Sequence, residues 1–457
     1  MMNNLHSKIK TVIYLCVILL VNYTNAQRTI NCDNDDCLEA AMANALPGDE
    51  IILEAGVTFI GGSRSAADNF SAFSSDRDGT SANPIILRGA SSTNKSIISA
   101  NRSGYSWYGI NLSGDYWVIK DIVVRGVLKG IVLDDANYCE LLDLEVYEIG
   151  QEAIHLRTGS SNNLVKGCII RDTGKRSDDD KGFGEGVYVG SDRSAHNRFD
   201  PNCNNNFIEN CVFGPNISAE ALDIKEGTER TVVRNNTFFA SGVSGVNSAD
   251  SFIDLKGIYG YVYGNIFNVL ENAEPMNSVV DVSNRTFGSY DYKTGTHSAI
   301  FENTINLSEE KSNIPTTRII LDPERQPTES RNIHSWDNTR NPSTGEVVDN
   351  LTSSVVQAIC PAWNEFRSCT ALSITDANLN SSFTIYPNPV SNEINIAGID
   401  LSKVKQAFIS SLEGKILYNF TAKDLNTTID VSALPNGIYI MTFTTPSSTI
   451  SKKLLKI

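Results

Sequence analysis

Positive charge is in short supply in this chain. Lys and Arg number 38 against 53 Asp and Glu, and the net charge is −15. So acidic a protein repels nucleic acid and anionic membrane surfaces, and neither is expected as a partner. An acidic polymer would have to be held through a local cluster of Lys and Arg or through bound cations. Long apolar runs are missing too. The run from Thr11 to Val21 is too short to span a bilayer. It follows Lys8 and Lys10 and closes on Thr24-Asn25-Ala26, the layout of a secretory signal peptide with cleavage expected after Ala26. Losing residues 1–26 removes two lysines and no acid, taking the charge from −15 to −17. Histidine is rare and nowhere spaced with cysteine as in a zinc site, so metal binding through sulfur is not expected. Cys16 would leave with the signal. The other eight cysteines fit an exported chain, with Cys32–Cys37 and Cys360–Cys369 close enough for local clips.

The C-terminal end reads as a separate unit. Residues 370–382 are rich in Ser, Thr, Asn and Ala, as a linker is. Residues 383–457 hold short alternating runs broken by Pro-Asn and Asn-Gly turns, a small β-sandwich pattern. YPNP at 386–389, LPNGIY at 434–439 and a tail bearing Lys452, Lys453 and Lys456 make this stretch resemble the type IX secretion sorting domain of Bacteroidetes. The resemblance implies the type IX machinery as a partner, then removal of the tag with release or surface anchoring.

Between the two ends the chain repeats, and the repeat sets the fold class. KGIVLDD from Lys129, EAIHLRTG from Glu152, EGVYVGSD from Glu185, EALDIKEG from Glu220, SFIDLKG from Ser251 and SVVDVSN from Ser278 align one below another. Each is followed by a second β-rich run, at a spacing that suits one coil of a right-handed parallel β-helix over about residues 30–305. In the second runs Asn210, Asn236, Asn265 and Asn303 fall at one point, with Asp121 and Asp143 in earlier coils. They are expected to stack in a turn as a structural ladder. An amphipathic helix from about Cys37 to Ala45 is expected to cap the open end. Residues 305–360 are expected to be irregular and to pack along the helix or close its C-terminal end. PGDEIILEAG at 47–56 and NPIILRGAS at 83–91 resemble the opening coils of the pectate lyase-like superfamily, nearest to the chondroitinase B and alginate lyase family. The catalytic domain is thus expected over 27–369, as an all-β monomer.

Period-two alternation turns Ile154, Leu156, Val187, Val189, Leu222 and Ile224 inward. One outward column then reads Val132, His155, Tyr188, Asp223, Asp254, Asp281. The next reads Asp134, Arg157, Gly190, Lys225, Lys256, Ser283. Coils repeat at about 4.8 Å, so these side chains share one patch. Carboxylates at that separation can both reach one calcium ion. Asp223 with Asp254 is the first pair, Asp281 extends it, and Glu220 and Glu185 stand one step outside. The resemblance implies a lysine base on this sheet with calcium on adjacent coils. Lys225 is read as the base, its pKa depressed by Lys256 and Arg157 nearby, which neutralise the substrate or act as acid; His155 and Tyr188 are alternative proton carriers. Loops 175–183 and 191–203 are expected to wall the cleft.

The expected activity is β-elimination on a uronic-acid polysaccharide by a secreted or surface-held lyase. A glycoside hydrolase could use Asp223, Asp254 and Asp281, but no adjacent Asp pair lies in the columns and no Gly-His-Gly stretch is present. A C5-epimerase shares the proton-abstraction step. A non-enzymatic carbohydrate-binding surface protein would show a threonine-rich face without clustered cations.

Overall fold

A computed structural model describes residues 27–61, 70–100, 104–269 and, with gaps, 275–341 and 384–456. The expected signal peptide, the expected linker and the Cys360–Cys369 clip expected from sequence lie outside the described residues. Contacts divide the chain into two units, 1–351 and 352–457.

Among the described residues the first unit forms three parallel sheets of eleven, ten and nine strands. Each turn of the chain adds one strand to each sheet. The first sheet runs from Thr29–Cys32 to Ile333–Trp336, the second from Thr58–Gly61 to Thr339–Asn341, and the third from Ser71–Ser75 to Thr317–Leu321. Inward residues of all three fill one apolar core, including Ile154, Leu156, Val187, Val189, Leu222 and Ile224 as alternation requires. The β-helix therefore extends to Asn341 and does not stop at 305. Thr317–Leu321, Ile333–Trp336 and Thr339–Asn341 build a further coil where irregular packing was expected.

The N-terminal helix spans Asp35–Ala43, two residues earlier than the sequence suggested at each end. Asn34 starts it, accepting a hydrogen bond from the Cys37 N–H, and Asp35 and Asp36 occupy the first turn, where the helix dipole favours acids. Leu38, Ala41 and Met42 bury its apolar face. The Cys32–Cys37 disulfide joins it to the first strand.

The asparagine ladder is present one residue away from where the sequence placed it in the earlier coils. Asp121, Asp143, Asn210, Asn235, Glu302 and Asp337 all have φ between 52° and 56° and form the left-handed corner between the first and second sheets. The next residue in each coil points inward, and that column reads Ile122, Leu144, Cys168, Cys211, Asn236, Asn265, Asn303, Asn338, all buried. Asn236 Nδ2 donates to Asn265 Oδ1 at 3.1 Å, Asn265 to Asn303 at 3.0 Å and Asn303 to Asn338 at 2.9 Å. Asn210 is exposed at the corner and is not a ladder member. Cys211 and Cys168 hold the ladder position below, their thiols directed at the Val165 and Leu141 carbonyls as the Asn amides are at theirs. They are free, buried thiols.

The second unit has an antiparallel three-stranded sheet and an antiparallel four-stranded sheet. Its own core includes Ile394, Ile409, Met441, Phe443 and Leu454.

Candidate active site

The third sheet carries the outward columns. Backbone register pairs Val132 with His155, His155 with Tyr188, Tyr188 with Asp223, Asp223 with Asp254 and Asp254 with Asp281. Arg318 continues the column one coil further. The second column follows at the strand ends, where the Gly190, Lys225 and Lys256 N–H groups each donate to the previous coil at 2.8 Å. A third column, which sequence reasoning left incomplete, lies just before the strands: Lys129, Glu152, Glu185, Glu220, Ser251, Ser278. These residues open the aligned repeats, so the signal was present there.

Although these side chains point away from the core, most are buried. Lys225 is 5 % exposed, Lys256 3 % and Glu185 3 %. Loops cover them from both sides. Loop 175–183 is pinned by Gln151 Nε2 donating to Asp180 at 2.8 Å and by Ser218 Oγ donating to the Lys181 carbonyl. Loop 191–203 is pinned by the Arg193 N–H donating to Glu226 Oε1 at 3.0 Å. In the first column Tyr188 and Asp254 are the members of the His155–Asp281 stretch that stay partly exposed.

The lysines are ion-paired. Lys225 Nζ lies 3.2 Å from Asp223 and 3.8 Å from Asp192. Lys256 Nζ bridges Asp223 at 2.7 Å and Asp254 at 2.6 Å. Burial alone would pull the Lys225 ammonium down, but Asp223, Glu226, Asp254 and Asp192 more than offset it, and its pKa rises. Lys256 is raised too, by Asp223 and Asp254 against burial. The depressed lysine pKa expected from sequence is therefore corrected: the like charges are present, but acids lie closer. Asp223 is held down by Lys225 and Lys256 despite its burial.

Arg157 forks onto Asp134 at 2.7 and 3.2 Å and lies 4.4 Å from the centre of the Phe199 ring. It is thus committed to Asp134 and the loop above it. His155 is neutral, its pKa pushed well down by burial and by Lys129 and Arg157. Its Nε2 lies 3.0 Å from the Gly190 carbonyl and its Nδ1 3.5 Å from Lys129 Nζ, so both ring nitrogens have partners. It packs edge-on against Tyr188, centroids 4.7 Å apart. Lys225 Nζ lies 5.2 Å from the Tyr188 ring centre on the other side. Burial, then Asp223 and Glu185, push the Tyr188 phenol well up.

The acids fall into two sets. Glu185, Glu220 and Asp223 bring carboxylate oxygens within 4.8 Å of one another. Burial and neighbouring acids raise Glu185 and Glu220 well above the carboxylate range, and Glu185 Oε2 is buried without a hydrogen-bond partner. Asp281 stands apart, bound by Arg318 and Ser278. Asp254 is taken up by Lys256 and Ser283. Asp254 and Asp281 have protein partners and Asp223 pairs with both lysines, whereas the Glu185 oxygen lacks a partner.

A right-handed β-helix region matches residues 108–268, and a secretion system C-terminal sorting domain matches residues 384–457. That tail sends the protein through type IX secretion to the cell surface or beyond. No curated protein matches the chain. Among solved structures, an alginate lyase from Paenibacillus sp. str. FPU-7 is 34 % identical with a TM-score of 0.61, over 70 % of this chain and 98 % of its own. Pectate lyase Pel9A is 13 % identical, with a TM-score of 0.46 over 78 % and 85 % of the two chains. A mannuronic acid specific polysaccharide family 6 lyase from human gut microbiota is 14 % identical, with a TM-score of 0.37 over 69 % and 82 %.

Proposed function

Since the chain belongs to the pectate lyase-like right-handed parallel β-helix superfamily, we propose that it is a secreted lyase that cleaves a uronic-acid polysaccharide by β-elimination. The observation that carries this reading is the register of the third sheet, which puts a partly exposed Tyr188 beside two ammonium groups on the next coils. Alginate is the first substrate to try, because the 34 % identical structure is an alginate lyase.

Elimination breaks the C5–H bond, forms the C4=C5 double bond and expels the sugar on O4, which takes up a proton. The C5 proton becomes acidic enough only if the adjacent carboxylate is neutralised. Lys225 enters the reaction as an ammonium, because Asp223, Glu226, Asp254 and Asp192 hold its proton. It serves as proton donor to O4. Tyr188 accepts the C5 proton once its phenol, which burial and then Asp223 and Glu185 push well up, is ionised. Lys256 holds Asp223 and Asp254 in place, and His155 fixes the Tyr188 ring.

Glu185, Glu220 and Asp223 are the residues that would hold a calcium ion. Their all-oxygen donor set and the unpartnered Glu185 oxygen suit a hard cation. Bound there, calcium would add positive charge toward the substrate carboxylate.

The test is incubation with alginate, pectate, glucuronan and glycosaminoglycans, following the ultraviolet absorbance of the unsaturated uronate. New reducing ends without absorbance would mean hydrolysis. Inverted C5 centres without chain cleavage would mean epimerisation. Binding without any chemistry would mean a carbohydrate-binding surface protein.

A further inference from the structure

An anionic polymer approaching this face of the third sheet meets a difficulty that the sequence foreshadowed. The cations of its columns are already ion-paired: Lys129 with Glu152, Arg157 with Asp134, Lys225 with Asp223 and Lys256 with Asp254. On the upstream loop, Lys175, Arg176 and Lys181 are likewise paired, with Asp172, Asp180 and Asp178. Arg198 on the downstream loop differs. It is exposed and makes no ion pair with any described residue.

Its position is fixed from below. The Arg198 guanidinium lies 5.2 Å from the centre of the Phe199 ring, and that ring rests on Arg157 at 4.4 Å. The stack therefore connects an exposed cation to the column that contains Lys225 and Lys256. The loop is held by its own hydrogen bonds. Arg198 and Phe199 N–H groups both donate to the Ala195 carbonyl, at 2.9 and 3.0 Å, and the Gly159 N–H donates to the Asp200 carbonyl at 2.9 Å. Asp192 on the same loop reaches Lys225. A guanidinium on an ordered loop, resting on an aromatic face and lacking an acid, is suited to take a planar carboxylate through paired N–H bonds.

We propose that Arg198, supported by Phe199, is a substrate-binding subsite that receives the carboxylate of a uronate residue flanking the bond that is cleaved. This deepens the lyase reading and rests on it for the identity of the polymer. Arg198 binds and does not take part in proton transfer. Its role is to supply the free positive charge that the paired lysines cannot, which makes the downstream subsite selective for charged over neutral sugars.

The experiment uses the full chain and two readouts. In the active protein, Arg198→Ala is expected to raise KM for the cleaved polyuronate on the order of tenfold, as loss of a charged hydrogen bond does, with kcat changed by less than about twofold. Arg198→Lys should recover part of the loss, and Arg198→Glu should exceed it. Binding of an alginate oligosaccharide is then measured by calorimetry in a Tyr188→Phe background. Arg198→Ala should weaken it by a similar factor, and should not change binding of the same oligosaccharide with its carboxyl groups reduced to alcohols. Equal binding with and without Arg198, or an equal loss for the charged and reduced sugars, would overturn the proposal. The two readings separate cleanly. Arg198-dependent binding without elimination on any polymer sinks the lyase reading alone, and elimination with Arg198-independent binding sinks the subsite alone.

Discussion

Replacing Lys256 by Met tests whether the buried charges hold the site together as the distances imply. Lys256 Nζ is the bridge between Asp223 and Asp254, at 2.7 and 2.6 Å, and is 3 % exposed. Methionine keeps most of the volume and removes the charge. Asp223 retains Lys225, but Asp254 loses its ammonium. The two carboxylates are then left one coil apart, about 4.8 Å, where repulsion at an effective dielectric of about 20 is roughly 3 kcal/mol. Breaking a buried pair from one side typically costs about 3–5 kcal/mol, and the same range is expected here. Thermal unfolding at neutral pH is the assay, with a matched Lys256→Met, Asp254→Asn double variant that removes the stranded acid. The single variant should lose several degrees of midpoint and the double variant should regain part of them. A single variant within about 1 kcal/mol of the parent would mean that the acids are stable without the bridge.

Three further outcomes follow from particular side chains. Asn265→Ala breaks the ladder at a residue that both donates and accepts within it, and stranding the buried Asn236 and Val233 groups should cost about 3–5 kcal/mol; Asn210→Ala, at the exposed corner, should cost under about 1 kcal/mol, and equal effects in denaturant titrations would contradict the one-residue assignment. Burial pushes the Asp281 carboxyl up to about 6 in spite of Arg318 and Ser278, so the fold favours its protonated form and stability should fall as pH rises from the ordinary carboxylate range to about 6. Asp281→Asn should remove that slope, and an unchanged slope would assign it to other groups. Calcium should raise the unfolding midpoint of the metal-stripped protein, by the equivalent of about 2.7 kcal/mol at a hundredfold excess over its Kd, and Glu185→Gln should abolish the shift. No shift with calcium would leave the Glu185–Glu220–Asp223 cluster without a cation role.

Much of this architecture could be read from the sequence because a parallel β-helix stacks like residues on like. Alternation on consecutive coils was enough to put His155, Tyr188, Asp223, Asp254 and Asp281 in one column, and backbone register pairs those same residues. Asn236, Asn265 and Asn303 stack as the repeat implied, but Asp121, Asp143 and Asn210 fall one residue short of the ladder because corner and ladder positions adjoin; Asn235-Asn236 fills both, while Asn210-Cys211 fills them with different chemistry. The coil beyond 305 had a visible signal: Asp337-Asn338 in IHSWDNTRN repeats Glu302-Asn303 in FENTINL. The burial of the outward columns was not legible, because it depends on how loops 175–183 and 191–203 fold back over the sheet. The lysine pKa shift had the wrong sign for the same reason. Counting neighbours in a column shows Lys225 near Lys256 but not that Asp223 lies closer and that Asp192 descends from a loop.

Whether Tyr188 and Lys225 perform the proposed β-elimination is decided by one kinetic comparison. Wild-type protein, Tyr188→Phe and Lys225→Met are each given the polyuronate panel, with ultraviolet absorbance of the unsaturated product recorded as a function of pH. The wild type is expected to generate that product, with a rate that climbs into the alkaline range because the Tyr188 phenol is pushed well up. Both variants should lose on the order of 10² to 10⁴ in rate while unfolding at a midpoint that shows them folded. A folded Tyr188→Phe protein that still forms unsaturated uronate at the parental rate would mean that Tyr188 is not the group that takes the C5 proton.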